Sequence, residues 1–226
     1  MVKNNILLIL KPSGPTSHDI VDQVRKITGE KRVGHAGTLD PFAEGLLIVL
    51  VGREATKRQV EFIKLDKEYI ATLRLGAESD TGDLTGSIVP TNATQVRPVL
   101  IRRILKNFIG EINQVPPAYS ALKIHGRKAY ELARDGKEVK LAPRKIKIYG
   151  IEVLNYKWPM LQLKINCSSG TYIRALARDI GKQLAAPSKS SRQRNGCGAY
   201  LEKLIRTKIG KYVLKDAVNL EELIAK

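Results

Sequence analysis

The clearest alternation of apolar and polar residues lies in the segment Lys67–Leu75, which reads KEYIATLRL. Every second residue from Tyr69 to Leu75 would share one face, a pattern typical of a β-strand with one buried face. A second strand is predicted at 46–51, where the apolar residues are continuous. A continuous apolar run favours a central strand that is buried on both faces.

Apolar residues at helical spacing predict two amphipathic helices. The first follows Ser17, a residue type that caps helix N-termini, and ends at Gly29. The second begins at Thr171 and ends near Leu184. Weaker patterns predict strands at 6–10, 145–155, 161–167 and 199–210, and helices at 54–63, 94–108, 127–134 and 213–225.

These predicted strands outnumber the helices, and neighbouring strands mostly lack a crossover helix between them. The pattern therefore indicates an α+β fold with a mixed, mostly antiparallel central sheet flanked by helices. No polar linker long enough to separate two domains interrupts the sequence. We therefore expect a single catalytic domain over residues 1–226.

Composition adds a strong charge imbalance, with 39 Lys and Arg against 22 Asp and Glu, and a net charge of +17. Such an excess points to a polyanionic partner, most simply a nucleic acid. No apolar run reaches the roughly 18–20 residues that span a membrane, so we expect a cytoplasmic protein without membrane contact. The two cysteines and three histidines lack ligand spacing, so no metal site is expected.

The candidate chemistry centres on a carboxylate in the segment RVGHAGTLDPFAEGLLIVLVG. The sequence contains no phosphate-binding loop, dinucleotide fingerprint or nucleophile elbow. Asp40 follows Gly34 and Gly37, which allow another molecule to approach the backbone closely, and it precedes the stiffening Pro41. Asp40 is therefore a candidate nucleophile on a rigid support, and a simple Asp-Pro turn is the alternative.

Two further residues could assist Asp40. Arg174 and Arg178 would share a helix face, and an arginine beside a buried carboxylate keeps that carboxylate ionised. A solvated basic face is the alternative for this pair. Tyr69 could be a core tyrosine, and it becomes interesting if it lies beside Asp40.

The segment PPAYSALKIHGRKAYELARDGK mixes basic residues with tyrosines. This mixture suits a surface that contacts phosphates and stacks on exposed bases. A plain solvated loop is the alternative.

Several segments, taken in chain order, resemble the TruB-type tRNA pseudouridine synthases: KPSGPTSHDIV, RVGHAGTLDPFAEGLLIVLVGREATK, KEYIATLRLGAESDTGDLTG, PPAYSALKIHGRKAYELAR, CSSGTYIRALARDIG and GCGAYLEKLIRTKIG. The resemblance covers almost the whole chain. It implies the pseudouridine synthase fold and a reaction that needs no cofactor and no metal.

The resemblance also implies roles for individual residues. Asp40 corresponds to the nucleophile, Tyr69 to the active-site tyrosine and Arg174 to the arginine that pairs with the nucleophile. His35 corresponds to the residue that fills the space left by the flipped base. The remaining implied RNA contacts are Asp83 near the flipped nucleotides, Leu204 in the pocket, Tyr172, and Tyr119, Lys123, Arg127, Lys128 and Tyr130 in an RNA-gripping loop near 111–143.

The implied function is the isomerisation of uridine 55 in the tRNA T-loop, after the base has been flipped out. The partner would be the T-stem-loop, and a monomer without an obligatory protein partner is expected. One alternative is an RNA-binding module that chaperones tRNA folding with little or no catalysis. Another is the guide-RNA-dependent relative that acts on ribosomal RNA.

Two departures from the family pattern are expected to matter. We expect the separate C-terminal RNA-binding domain of the family to be absent or reduced, because the sequence ends at Lys226, shortly after the segment RTKIG and one helix. A basic insert near 185–196 carries Lys189, Arg192 and Arg194. We hypothesise that this insert adds salt-dependent phosphate contacts.

Overall fold

The structure is a computed structural model of the 226-residue chain. It describes residues 5–120, 122–124, 126–135, 139, 141–184 and 196–224. The strands are β1 (Asn5–Lys11), β2 (Val33–His35), β3 (Glu44–Val51), β4 (Lys67–Leu75), β5 (Ala77–Ser79), β6 (Ile88–Pro90), β7 (Gly110–Gln114), β8 (Lys123–Ile124), β9 (Arg127–Lys128), β10 (Arg144–Lys157), β11 (Met160–Cys167), β12 (Ala199–Ile209) and β13 (Tyr212–Val213). The helices are α1 (Ser17–Thr28), α2 (Arg53–Lys57), α3 (Gln59–Ile63), α4 (Pro98–Lys106), α5 (Ala129–Arg134), α6 (Ile173–Gln183) and α7 (Leu220–Ile224), with a 3-10 turn at Leu214–Asp216.

The chain forms two compact units. The first contains Met1–Ile70, Asn166–Ser169 and Lys203–Lys226, and the second contains Ala71–Ile165 and Gly170–Glu202. The prediction of a single catalytic domain over residues 1–226, with an RNA-gripping loop near 111–143 and no separate C-terminal domain, stays a prediction. The predicted basic insert near 185–196 lies outside the described residues, apart from Gly196.

The first unit is built around β3. Strands β1 and β2 each pair with β3 antiparallel, whereas β12 pairs with β3 parallel through Ile205 and Arg206. One set of alternate β3 residues packs against apolar residues of α1, and the other set packs with residues that include Phe62 and Ile209. Strand β3 is therefore buried on both faces, as its continuous apolar run predicts.

The second unit contains β10, β7 and parts of β4, β11 and β12, and these strands have the order β12-β4-β11-β10-β7. Strand β10 pairs antiparallel with β7 from Arg144 opposite Gln114 to Ile148 opposite Gly110. Two small hairpins, β5-β6 and β8-β9, are also antiparallel. The predicted α+β fold with a mixed, mostly antiparallel sheet is confirmed. Among the described helices, none is long and apolar enough to cross a membrane.

Some element predictions are wrong in detail. The predicted helix at 54–63 is two short helices, α2 and α3. The predicted helix at 213–225 is the end of β13, a 3-10 turn and the short α7. Here Tyr212 and Val213 pair with the end of β12, so sheet pairing overrides local helix propensity.

The prediction that Ser17 caps α1 is also wrong. Thr16 caps this helix, because its hydroxyl accepts from the Asp19 backbone N–H at 3.1 Å and the Asp19 carboxylate accepts from the Thr16 backbone N–H at 2.7 Å. This reciprocal pair is a capping box, and the acid at the third helical position selects Thr16 rather than Ser17. The hydroxyl of Ser17 is thereby free to bond elsewhere.

Thr16→Ala should lower the free energy of unfolding by about 1 kcal/mol, because the substitution removes a helix cap. Urea denaturation followed by circular dichroism measures the change. Gln23→Ala, at an exposed site on the same helix, is the matched control and should leave stability nearly unchanged. Equal stability of the Thr16→Ala and Gln23→Ala variants would contradict this assignment of the cap.

Candidate active site

Asp40 lies in the Asp40 loop (residues 36–43), which connects β2 to β3 in the first unit. The residue is half-buried, and its backbone carbonyl accepts from the Ala43 backbone N–H at 3.1 Å. The loop enters β3 directly, so its C-terminal end is held by the most buried strand of the unit.

Lys11 fixes the C-terminal half of the Asp40 loop. Its side chain is 0% exposed, and its ammonium donates to the backbone carbonyls of Pro12 at 2.8 Å, Pro41 at 3.1 Å and Ala43 at 2.7 Å. Ser13 adds a hydrogen bond to the Phe42 carbonyl at 3.0 Å. These contacts satisfy a buried cation and hold the residues that follow Asp40.

Ser17 fixes the residue that precedes Asp40. Its hydroxyl accepts from the Leu39 backbone N–H at 2.9 Å and donates to the Leu39 carbonyl at 3.1 Å. The first turn of α1 therefore holds the loop directly before the candidate nucleophile.

Arg206 of β12 fixes the loop from another side. This residue is 1% exposed, and its guanidinium donates to the carbonyls of Leu46 at 2.8 Å, Gly37 at 3.1 Å and Thr38 at 3.4 Å. Gly45 allows the backbone of β12 to lie close to β3 at Arg206. A Cβ there would lie 2.4 Å from the Arg206 carbonyl oxygen, and the φ of +111° also favours glycine.

Tyr69 is buried on β4. Burial raises the pKa of the phenol, the nearby positive charge of Arg206 opposes this rise, and the negative charge of Asp40 adds to it. Within the first unit, Tyr69 is therefore close enough to Asp40 and Arg206 for their charges to act on it. The phenol is protonated at neutral pH.

Two buried lysines of the first unit have lowered pKa values. Burial lowers the pKa of Lys11 from 10.5 to about 8, and the negative charge of Asp40 partly opposes this effect. Burial likewise lowers the pKa of Lys67 to about 8, and its ammonium donates to the carbonyls of Ile63 and Leu65 at 2.5 Å each. Both lysines occupy inward-facing strand positions that usually carry apolar residues.

Arg174 lies in the second unit, at the start of α6. It is 6% exposed, its guanidinium lies 3.5 Å from the Asp83 carboxylate, and it donates to the carbonyls of Thr81 at 3.0 Å and Tyr119 at 2.8 Å. The alternative of a solvated basic residue is therefore wrong for Arg174. Its pairing with Asp40 stays a prediction.

Asp83 is buried in a polar turn of the second unit. Its carboxylate accepts from the Thr81 hydroxyl at 2.8 Å, from the Thr85 backbone N–H at 2.9 Å and from the Thr85 hydroxyl at 2.5 Å. These donors and the guanidinium of Arg174 give the buried carboxylate the polar partners that burial requires. Asp83 thus orients Arg174.

The start of α6 is tied to β7 through one side chain. Gln114 accepts from the Tyr172 backbone N–H at 2.8 Å and donates to the Tyr172 carbonyl at 3.1 Å. Tyr172 is the residue before the helix, so both bonds act directly beside Arg174. The side chain of Tyr172 is half-buried.

Two more predicted site residues lie in the first unit. His35, at the end of β2, is half-buried, and its carbonyl accepts from the Gln59 side chain at 2.6 Å. Burial lowers the pKa of His35, so its imidazole is neutral at pH 7. Leu204 is buried on β12, two residues before Arg206.

The predicted RNA-gripping residues are described only in part. Tyr119 is half-buried, and exposed Arg127 pairs with Asp135 at 2.7 Å. The backbone of Lys123 pairs with that of Lys128 in the β8-β9 hairpin, and Tyr130 is part of α5. The side chains of these last three residues lie outside the described part of the chain.

Sequence patterns missed the residues that hold the site. Lys11, Arg206 and Gln114 carry no chemistry of their own, and they were not among the predicted site residues. In the sequence, each of these residues could have been recognised as a charged or polar residue at an inward position of a strand, where an apolar residue is usual. Within the described residues, no three His, Cys, Asp or Glu side chains come together as a metal site.

Comparisons with known proteins place the chain in a family. Residues 25–173 match the family model described as TruB family pseudouridylate synthase (N terminal domain). A protein of Endomicrobium trichonymphae named tRNA pseudouridine synthase B is 43% identical over 220 residues, which are 97% of this chain and 90% of that protein. Its namesake in Dehalococcoides mccartyi (strain CBDB1) is 44% identical over 224 residues, 98% of this chain and 70% of that protein.

A solved structure extends the likeness to three dimensions. A chain in the crystal structure of a Cbf5-Nop10-Gar1 complex superposes with a TM-score of 0.72 at 29% identity. The match covers 97% of this chain and 53% of that chain, so this protein spans about half the length of the solved chain.

The fold and these matches define a pseudouridine synthase, an RNA-modifying isomerase. Within that class, the chain belongs to the TruB family.

Lys11→Met should weaken the pH dependence of stability between pH 8 and pH 10. The pKa of Lys11 is about 8 in the folded state and 10.5 in the unfolded chain. In this window the unfolded state binds more protons, so the free energy of unfolding rises with pH, by at most about 1.4 kcal/mol per pH unit for one lysine. Lys67 contributes in the same direction, so the variant should retain about half of the lysine-dependent slope.

Urea denaturation at pH 7, 8, 9 and 10 measures this slope. Lys26→Met removes an exposed lysine of α1 and should keep the wild-type slope. The same slope in wild type and in Lys11→Met would contradict a buried, charged Lys11.

Proposed function

We propose that the protein converts uridine to pseudouridine at position 55 in the T-loop of tRNA, with Asp40 as the nucleophile. The observation that carries this proposal is the Asp40 loop, whose backbone is held by Lys11, Ser17 and Arg206 while Tyr69 lies within electrostatic reach. The relatives named tRNA pseudouridine synthase B support tRNA as the substrate.

The reaction requires no net oxidation or reduction. The bond between C1′ of the ribose and N1 of uracil breaks, and a bond between C1′ and C5 forms. The proton on C5 is lost and N1 gains a proton, so the composition of the nucleoside is unchanged. Asp40 attacks either the base or the ribose and is released when the new bond forms. A carboxylate on a fixed backbone suits both routes, because little reorganisation is needed when the bonds change.

Tyr69 lies against the base and assists removal of the C5 proton. Its raised pKa keeps the phenol protonated at neutral pH, so the phenol relays the proton rather than acting as a free phenolate. Leu204 supplies an apolar wall of the pocket.

The target base has to leave the folded T-loop before Asp40 can reach it. Flipping costs a few kcal/mol of lost stacking. His35 fills the vacated space, and its neutral imidazole suits insertion between bases. The net charge of +17 attracts the phosphate backbone.

Arg174 pairs with Asp40 during the reaction and keeps the carboxylate ionised. Asp83 orients Arg174, and the bond from Arg174 to the Tyr119 carbonyl connects the arginine to the beginning of the RNA-gripping loop. The T-stem-loop is contacted by Tyr119, Lys123, Arg127, Lys128, Tyr130 and Tyr172, and the insert near 185–196 adds phosphate contacts.

The protein acts as a cytoplasmic monomer without an obligatory protein partner.

Asp40→Asn should abolish isomerisation, with a loss of at least about 10³-fold in rate, because an amide is not a nucleophile of comparable strength. Tritium release from C5-labelled uridine in a T-stem-loop RNA measures the reaction. Asp22→Asn makes the same chemical change on the surface of α1 and is the matched control. It should retain wild-type release.

Release by Asp40→Asn at the wild-type rate would overturn the nucleophile assignment. If even the wild-type protein binds the RNA but releases no tritium, the enzymatic proposal fails, and the RNA-binding chaperone becomes the better function.

A further inference from the structure

The first two turns of α6 are bonded to the loop stem (residues 114–119), which leads from the end of β7 into the predicted RNA-gripping loop. At its start, the Gln114 carboxamide accepts from the Tyr172 backbone N–H at 2.8 Å and donates to the Tyr172 carbonyl at 3.1 Å. At the next residue, the Val115 carbonyl accepts from the Arg178 guanidinium at 3.0 Å. Two consecutive residues of the stem are therefore attached to α6, one at the start of the helix and one at its second turn.

Arg174 lies between these two attachment points in the helix. Its own guanidinium donates to the carbonyl of Tyr119, at the far end of the stem, at 2.8 Å. Arg174 and Arg178 are four residues apart, so they lie on the same face of α6. The stem and this face of the helix are therefore joined at three places, and Arg174 is the middle one along the helix.

We propose that Gln114 and Arg178 are positioning residues, which hold α6 on both sides of Arg174 and thereby fix its guanidinium. This inference rests on the proposed function, because it takes Arg174 to act on Asp40. Gln114 has the larger role, because it is 2% exposed and makes two bonds, whereas Arg178 is half-buried and makes one bond to the stem. Both residues act through Arg174 and need not touch the RNA.

The composition of the stem explains why side chains of α6 hold it. Strand β7 ends at Gln114, and its pairing with β10 ends at the same residue. Pro116 and Pro117 follow shortly after, and both are buried. Because proline has no backbone N–H, neither residue can donate to a neighbouring strand. Beyond β7, the carbonyls of Val115 and Tyr119 accept instead from the two arginines of α6.

A purely structural explanation for Gln114 is weaker. The residue occupies an inward position at the end of β7. An apolar side chain would serve plain packing there at least as well, because a buried carboxamide is favourable only when it is hydrogen-bonded. Both of its bonds go to Tyr172, the residue directly before α6. One donor and one acceptor on the same peptide fix both the position and the direction of the chain that enters the helix.

The guanidinium of Arg174 has little freedom to compensate for a movement of α6. It is 6% exposed, it donates to the carbonyls of Thr81 and Tyr119, and it lies 3.5 Å from the Asp83 carboxylate. These acceptors lie on two separate segments of the second unit, so a shifted helix would lose at least one of the contacts. A misplacement of about 1 Å in a catalytic arrangement can lower a rate by about 10²-fold.

A double-mutant cycle tests this role by single-turnover tritium release from C5-labelled RNA at saturating protein. Gln114→Met keeps the approximate size of the side chain and removes both bonds. It should lower the rate by about 10- to 100-fold while the RNA dissociation constant stays within about threefold. In an Arg174→Lys background, the same substitution should lower the rate by less than about threefold, since the group through which Gln114 acts is already altered. Equal effects in the two backgrounds would overturn the proposal.

Two control variants separate position from stability. Gln183→Met makes the same chemical change at the exposed end of α6 and should keep the wild-type rate. Tyr156→Phe removes a hydrogen bond from the Tyr156 hydroxyl to the Val96 carbonyl, elsewhere in the second unit. This variant should also keep the rate. A rate that falls as far in Tyr156→Phe as in Gln114→Met would overturn the proposal, because lost stability would then explain both results.

Arg178→Met distinguishes an anchor of the stem from a phosphate contact. Loss of an anchor should lower the single-turnover rate by about three- to tenfold and leave the salt dependence of RNA binding unchanged. Loss of a phosphate contact would leave the rate at saturating protein unchanged and reduce the salt slope of binding by about one. This second result would overturn the positioning role of Arg178.

A further measurement needs no RNA. In protein labelled with ¹⁵N-arginine, the spectrum of Arg174→Lys identifies the Nε–H resonance of Arg174. Gln114→Met, or Gln114→Asn if the methionine variant does not fold, should shift this resonance, because the guanidinium moves relative to its acceptors. Tyr156→Phe should leave the resonance in place. An unchanged Arg174 resonance in a folded Gln114 variant would overturn the proposal.

The two proposals fail in different ways. A wild-type protein that releases no tritium refutes the proposed function, whatever the spectrum shows. An active wild type with an additive cycle or an unchanged Arg174 resonance refutes the role of Gln114 alone.

Discussion

The site depends on buried cations that bond to backbone carbonyls. Lys11 and Arg206 are almost fully excluded from solvent, and between them they donate to carbonyls on both sides of Asp40. Burying a charge without partners would cost far more than the fold could tolerate. The loop must therefore keep the shape that satisfies these two cations, and this shape presents Asp40.

In the second unit a buried cation also bonds to backbone carbonyls, but there it also pairs with a buried carboxylate. Arg174 is buried against the carbonyls of Thr81 and Tyr119 and beside the Asp83 carboxylate. Asp83 is itself held by the hydroxyls of Thr81 and Thr85. Here too the side chain of a candidate site residue is held by neighbouring groups, which is how a precise site is built on a rigid fold.

The sequence predicted the central elements well, because their signals are local. The alternation in β4 and the continuous apolar run of β3 both matched the structure, down to the bounds of β4. Predictions failed where non-local contacts decide, as at β13, whose pairing with β12 replaced a predicted helix. The cap of α1 was misplaced by one residue, although the acid at Asp19 was a readable signal for Thr16.

Sequence motifs identified the candidate catalytic residues, but they did not identify the buried residues that hold those residues in place. Asp40, Tyr69 and Arg174 stand in recognisable segments, whereas the partners of Lys11 and Arg206 are carbonyl oxygens, which every residue possesses. Alternation alone assigns inward positions of β1 and β12 to apolar side chains, so it cannot identify which cation will find acceptors there. Only the folded chain supplies that information.

Hydrogen bonds to backbone carbonyl oxygens do not depend on the identity of the side chains in the loop. The contacts of Lys11 and Arg206 go to the main chain of Gly37, Thr38, Pro41 and Ala43. The exposed side chain at Thr38 can therefore be exchanged while the curvature of the loop persists. Side chains of this loop can therefore be varied by directed evolution while the carboxylate of Asp40 stays in position.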